Sequence, residues 1–281
     1  MIDPRCADVS QEAGERLVAT AVNVENWLLV EVRGTWPRDV SAVLTDAEPG
    51  SATMRAWLDG VPSSRLLFIR RPGRAAASVV FVVRAFEAEA EVRRIEVAGF
   101  EDLDDVDLKH DGDPLETSLV LVCGHGTRDA CCALRGNAVF GALAEHVPPG
   151  ELWISSHQGG HRFAANVLVL PAGIQLGRVA PDDAVRVVDL ARAGSISLDH
   201  YRGRTAYSTR VQAAEVAARA SAGLSNVRDL AFVADDGERV RLARRDGLTF
   251  DVAVDEVVGP TVPSSCGAAP EAQTAFTARL A

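Results

Sequence analysis

The sequence predicts an α/β protein of several units, and three observations carry that reading. Runs of β-forming residues alternate with stretches of helical periodicity along most of the chain. An acidic segment, EDLDDVDLKHDGDPLE from Glu101 to Glu116, separates a first set of runs from a second and reads as a solvated linker. Beyond it the elements follow in the order strand, helix, strand, strand, strand, helix.

Taken in order, the first unit holds the β-rich runs ERLVATAVNV, NWLLVEVRG, SRLLFIRR, ASVVFVVRAF and VRRIEVAGF, with a helical candidate at SATMRAWLDG. The second opens on strand TSLVLVCG and continues into helix ALRGNAVFGALAEHV, where Phe140, Leu143, Ala144 and Val147 recur at helical spacing as a buried stripe. Strands GELWISSH, NVLVLP and IQLGRV follow, then helix DDAVRVVDLARAG. This order matches the thioredoxin-like core, in which a crossover helix joins parallel strands and a hairpin comes next. The first unit has a similar strand, helix, strand, strand order and is expected to be a relative of the same fold. A third unit begins with helix STRVQAAEVAARASAG, N-capped by Ser208. It continues as RDLAFVA, ERVRLARR and LTFDVAVDEVV, joined by Asp-Gly turns into a small antiparallel sheet. From about Pro260 the chain reads as loose. The boundaries fall at 1–112, 113–203 and 204–281.

Composition narrows the function classes. With 281 residues, 47% hydrophobic and 24% charged, the chain can bury a core of ordinary size. A net charge of −10 with scattered arginines lacks the basic footprint of a nucleic-acid binder. The segment MIDPRCADVSQEAGERL has no apolar signal region, and runs such as SVVFVV are too short to span a bilayer, so no membrane partner and a cytoplasmic location are expected. There is no G-x-G-x-x-G at a strand-to-helix junction, so a nicotinamide or flavin of its own is not expected. A glycoside hydrolase needs two positioned carboxylates, and nothing in the sequence places such a pair.

The chemistry sits in two short stretches. In SHQGGHRFAANV, Ser156 to Val167, His157 and His161 stand four residues apart. On a helix they would share a face, but two adjacent glycines cost about 2 kcal/mol of helix propensity. A loop is expected instead, in which Gly159 and Gly160 take positive φ and turn two imidazoles toward one point. In CGHGTRDACC, Cys123 to Cys132, a strand delivers Cys123 at its C-terminal end, where ligands bind open α/β sheets. Cys131 and Cys132 lie at the entrance of the next helix, whose positive end favours a thiolate. If the strands ending near Cys123 and His157 are neighbours, two thiols and two imidazoles converge. Such a set suits an iron–sulfur centre or zinc equally. Five cysteines, an odd number, argue against a disulfide framework in a reducing compartment. A vicinal Cys131–Cys132 disulfide would close a strained eight-membered ring.

These stretches carry a resemblance. CGHGTRDACC followed by WISSHQGGHRFAANVLVLPAGIQLGRV resembles the sucrase/ferredoxin-like family through C-x-H-G-x-R-D-x-x-C and H-x-G-G-H-R-F-A-x-N. Weaker similarities, around Cys6, NWLLVEV and RVQAAEVAAR, extend over most of the chain. The resemblance implies a thioredoxin-like ferredoxin domain with a [2Fe-2S] cluster held by two cysteines and two histidines, here Cys123, Cys132, His157 and His161. It implies an electron carrier, with proton-coupled redox through the histidines and an unknown redox partner protein. Cys131, beside the expected second thiolate, leaves room for a one-residue shift; Cys132 is favoured. A structural Cys2His2 zinc site is the alternative. No catalytic residues are assigned. His125 is read as a loop or supporting group, Arg128 and Asp129 as a loop-fixing ion pair, Arg162 as a donor to cluster sulfurs or a solvated side chain, and Asn166 as a turn or strand-start residue. Cys6 and Cys266 are read as small buried hydrophobes.

Overall fold

The computed structural model describes residues 5–45, 48–73 and 77–281. The first four residues of the N-terminal segment thus lie outside the described residues. Its first helix is α1 (Cys6–Glu12), followed not by a strand but by an irregular stretch through ERLVATAVNV. Its backbone is held by scattered partners instead: Ala21 N–H donates to Gln212 and Val22 N–H to Gln175, both glutamines buried, while Thr20 and Val24 N–H donate to the Arg202 and Thr205 carbonyls. β propensity gave way there to buried amides reaching in from other elements.

The remaining elements of the first half are β1 (Asn26–Glu31), α2 (Ser51–Gly60), β2 (Ser64–Arg70), β3 (Ser78–Ala85) and β4 (Ala90–Val97). β1 pairs parallel with β2 and antiparallel with β3, and β3 pairs antiparallel with β4. The acidic stretch is only partly a solvated linker. It forms a 3-10 turn, Phe100–Asp105, and the two-residue strand β5 (Asp113–Pro114), and it buries Leu103 and Leu108 beside Met54 and Trp57 of α2.

The second half comprises β6 (Leu119–Cys123), α3 (Ala130–Leu143), β7 (Leu152–Ser155), β8 (Val167–Leu170), β9 (Ile174–Leu176), α4 (Pro181–Arg192) and β10 (Tyr201–Arg204). β6 pairs parallel with β7 and antiparallel with β8, and β8 antiparallel with β9. The order β9-β8-β6-β7 with a crossover helix between β6 and β7 is the thioredoxin-like core. The first half repeats it as β2-β1-β3-β4. The halves join edge to edge through antiparallel pairing of β2 with β7, Ile69 opposite Ser155, giving one ten-stranded sheet.

That sheet curls. Trp27, Leu29 and Phe81 of the first half share a core with Leu121, Trp153 and Leu168 of the second, and Phe81 meets Trp153 edge-on at 5.6 Å. On the other face α3 and α4 cover Val120, Val122, Val167 and Val169. The buried stripe of α3 is Gly136, Val139 and Leu143, continued by Val147; Phe140 is half-buried and Ala144, expected in the stripe, is exposed. The helix starts three residues earlier than its apolar periodicity suggested, because Asp129 caps it by accepting from the Cys131 N–H at 2.8 Å.

The C-terminal unit is α5 (Thr209–Ala222), capped by Ser208, packed on the antiparallel sheet β11 (Leu230–Asp235), β12 (Arg239–Arg244), β13 (Thr249–Pro263) and β14 (Pro270–Leu280). The tail expected to be loose from Pro260 is ordered. β13 runs on past the anticipated end, and Pro270–Leu280 returns along it from Val252 to Pro263. Ladder hydrogen bonds to the neighbouring strand, invisible to local pattern, hold this segment. Among the described residues no helix is long and apolar enough to cross a membrane.

Candidate metal centre

The parallel register of β6 and β7 places Cys123, the last residue of β6, opposite Ser155, the last of β7, with His157 two residues further on. Gly136 lets α3 approach: a Cβ there would lie 1.9 Å from the Cys123 carbonyl oxygen. The first turn of α3 therefore sits against the end of β6, and Cys123, Cys132 and His157 present donor atoms within 4.8 Å of one another.

His161 completes the group. The SHQGGH stretch is a loop, not a helix, with Gly159 at φ 94° and Gly160 at φ 70°. A Cβ on Gly160 would meet the Arg202 guanidinium at 2.6 Å. The turn stacks the two imidazoles with centroids 3.8 Å apart and 17° between planes, and His161 Nδ1 lies 3.7 Å from the Cys132 sulfur. The four residues chosen from the sequence thus form two overlapping sets that meet at Cys132, one with Cys123 and His157 and one with His161 and Asp129.

Burial lowers the His157 pKa to about 2 and the His161 pKa to about 4, so both rings are neutral near pH 7, the state in which imidazole ligates metals. The Cys132 thiol donating to Cys123 lowers the Cys123 pKa, helped by the backbone N–H groups of Gln158 and His125 and by Arg65. Cys132 is raised in turn. His157 Nδ1 is buried and has no hydrogen-bond partner. A buried polar atom without a partner costs about 1–3 kcal/mol, which a metal bond would relieve.

Supporting residues are partly those expected and partly not. His125 Nδ1 accepts from the His157 N–H at 3.2 Å while Nε2 donates to the Pro37 carbonyl at 2.9 Å. Both ring nitrogens are engaged, so His125 orients the loop of His157 rather than facing the thiols. Arg128 makes no ion pair with Asp129, whose carboxylate is taken by the Cys131 and Cys266 N–H groups. Arg162 pairs with Glu15 at 2.7 Å instead of reaching the sulfurs. Asn166 does more than start a strand: it is buried, donates to the Gly160 carbonyl and accepts from Arg202 at 2.8 Å.

Two arginines escaped the sequence reading. Arg202 is buried, also bonds Gly159 O and Thr20, and stacks over Phe163; burial lowers its pKa to about 9, leaving it charged at pH 7. Arg65 donates to the His157 carbonyl at 2.8 Å. Both cations interact with Cys123 and offset thiolate charge in a buried site. Neither lies in a motif, and only tertiary packing brings them in. Arg65, Arg128 and His157 line a cleft of about 360 Å³ with Arg38, Asp39 and His125, so His157 faces an opening with three arginines and one carboxylate.

Cys6 and Cys266 are not isolated. They meet Cys131 from opposite ends of the chain, with sulfurs 3.4 Å (Cys131 to Cys266), 3.6 Å (Cys266 to Cys6) and 3.7 Å (Cys6 to Cys131) apart. All five cysteines are free thiols, so the adjacent pair forms no disulfide.

The model of the sucrase/ferredoxin-like family matches residues 17–203. The chain is 36% identical over 98 residues to altered inheritance of mitochondria protein 32 of Meyerozyma guilliermondii, covering 30% of this chain and 34% of that one. It is 32% identical over 106 residues to the protein of the same name from Eremothecium gossypii, covering 33% and 34%. The match thus spans about a third of the length of these curated relatives. Among solved structures it is similar to a thioredoxin-like [2Fe-2S] ferredoxin from Aquifex aeolicus, 21% identical with a TM-score of 0.27, covering 32% of this chain and 94% of that one.

Proposed function

The chain belongs to the sucrase/ferredoxin-like family, and from that premise we propose that it is an electron-transfer protein holding a [2Fe-2S] cluster through Cys123, Cys132, His157 and His161. The observation that carries this reading is the convergence of two thiols with two neutral imidazoles, His161 buried and His157 half-buried, the latter with a buried ring nitrogen that has no partner. The donor set fits: thiolate and imidazole both suit iron, and the four come from the end of β6, the first turn of α3 and the loop after β7, at the C-terminal ends of strands where ligands bind.

Bound there, such a cluster accepts and releases one electron. The residues do the rest. Cys123 and Cys132 supply negative charge, which Arg65 and Arg202 balance. His125, Asn166 and the two glycines fix the loop so that little rearranges on electron transfer. Because His161 turns Nδ1 toward Cys132, its Nε2 is the nitrogen left to hold a proton, which supports proton uptake coupled to reduction. The arginine-lined cleft at His157 suits a redox partner protein with an acidic contact surface. On this reading residues 1–112 are a copy of the cluster unit without ligands: β1 ends in Glu31 where β6 ends in Cys123, and Glu31 is ion-paired to Arg71 at 3.3 Å.

Iron and acid-labile sulfide counts with a visible spectrum, on protein purified without oxygen, test this. Two of each per chain and a brown protein are expected. Colourless protein with zinc on these four side chains would replace the electron carrier by a structural zinc site, since four protein ligands leave no open position.

A further inference from the structure

The three remaining thiols form a cluster of their own. Cys6 is the first residue of α1, Cys131 lies in the first turn of α3, and Cys266 lies in the turn between β13 and β14. Asp129 stands among them, with its Oδ1 3.4 Å from the Cys266 sulfur and 3.9 Å from that of Cys6, and its Oδ2 3.8 Å from the Cys6 sulfur. The four donor atoms all lie within 4.8 Å of one another; Cys6 and Cys131 are fully buried and Cys266 is half-buried.

We propose that Cys6, Cys131, Cys266 and Asp129 are a second metal site, which takes one zinc ion and is structural. Four ligands around zinc at Zn–S of about 2.3 Å form a tetrahedron whose sulfurs stand about 3.8 Å apart. The sulfur separations of 3.4, 3.6 and 3.7 Å already approach that triangle. Asp129 is held as the fourth corner, because the backbone N–H groups of Cys131 and Cys266 each donate to it at 2.8 Å. Those bonds leave lone pairs free on both oxygens, and the start of α3 favours the negative charge of the Cys131 thiolate. Three thiolates with one carboxylate suit zinc, and four protein ligands leave no position for a reacting water.

Binding balances as a proton exchange: Zn2+ replaces the three thiol protons, which go to solvent, and no electron moves. The ion would fasten the N-terminal helix and the C-terminal hairpin to the start of α3, joining residues 260 apart in sequence. Cys131 would then serve this site while its neighbour Cys132 serves the other. The two proposed ligand sets share no residue, so the inference does not rest on the cluster reading; Asp129 also stands within 4.8 Å of the Cys132 and His161 donor atoms and borders both sites.

The test is metal counting on the full chain produced with zinc and iron present. One zinc per chain is expected. Cys6→Ser and Cys266→Ser should each lose at least nine-tenths of it with iron content unchanged, and Cys132→Ser should lose iron and keep zinc. For the case where Cys6→Ser does not fold, Co2+ added to metal-free wild-type chain should give the thiolate-to-cobalt absorption of a tetrahedral sulfur site, and Cys266→Ser should weaken it. Wild-type protein without zinc and without that cobalt signal overturns the site. So does zinc that survives both serine substitutions, or a disulfide between any two of the three thiols in peptide mapping of the freshly isolated protein.

Discussion

Cys131 and Cys132 are consecutive residues that face different groups: the Cys131 sulfur lies 3.4 Å from Cys266, whereas the Cys132 sulfur lies 3.7 Å from His161 Nδ1. A helix rotates about 100° per residue, so neighbours in the first turn of α3 point to separate neighbourhoods. Serine substitution separates them. Cys132→Ser and Cys123→Ser are expected to abolish the visible absorption of the purified protein, and Cys131→Ser to leave most of it. Absorption lost in the Cys131 variant alone would move the ligand by one position.

Gly136→Ala is expected to damage fold and site together. The new Cβ would sit 1.9 Å from the Cys123 carbonyl oxygen, so α3 must move off β6 and carry Cys132 away from Cys123. Overpacking of this kind costs about 1–3 kcal/mol. Denaturant melts and iron content measure the two effects; unchanged values in both would show that the helix has room to shift.

His125→Ala should lower stability by about 1–3 kcal/mol, because the His157 N–H and the Pro37 carbonyl each lose a buried partner. Iron stoichiometry should hold while the redox midpoint shifts. Complete loss of iron in a folded variant would instead make His125 a ligand.

Metal-free protein should be acid-labile. Folded-state pKa values of about 2 for His157 and about 4 for His161 lie below the unfolded value of 6.5, so the unfolded chain binds more protons as pH drops. Their neutral burial is tolerated above about pH 6.5, and stability falls below it, by about 1.4 kcal/mol per pH unit for each proton taken up on unfolding. The loss from His161 levels off near pH 4 and that from His157 near pH 2. Urea melts of metal-free protein between pH 7 and 4 read this slope, and His157→Asn should flatten it.

With iron bound, the midpoint potential should fall as pH rises, by about 59 mV per unit where one proton accompanies one electron. Two neutral imidazoles in place of two thiolates make the oxidised centre less negative, so its potential should also exceed the roughly −400 mV of all-thiolate plant ferredoxins. Voltammetry from weakly acidic to strongly alkaline pH tests both. A flat midpoint removes the histidine-linked proton.

The sequence alone determined the α/β class, the thioredoxin-like order of the second half, and the two stretches whose cysteines and histidines meet, because these rest on local physics. Apolar β runs ended at Cys123, the Gly159-Gly160 pair excluded a helix, and the positive end of α3 lay at Cys131 and Cys132. Tertiary structure decided what depends on partners distant in the chain. The tail past Pro260 is ordered because β14 pairs with β13 from Val252 to Pro263, and ERLVATAVNV is not a strand because its N–H groups go to scattered partners, Ala21 and Val22 to Gln212 and Gln175 and Thr20 and Val24 to the Arg202 and Thr205 carbonyls. Arg202 and Arg65 reach the site only through the curl of the sheet and the loop it positions. Cys6 and Cys266 read as small buried hydrophobes in sequence; the fold places their sulfurs, 260 residues apart, within 3.6 Å of each other. Local propensity is written in neighbouring residues, whereas a contact between chain ends exists only after everything between them has packed.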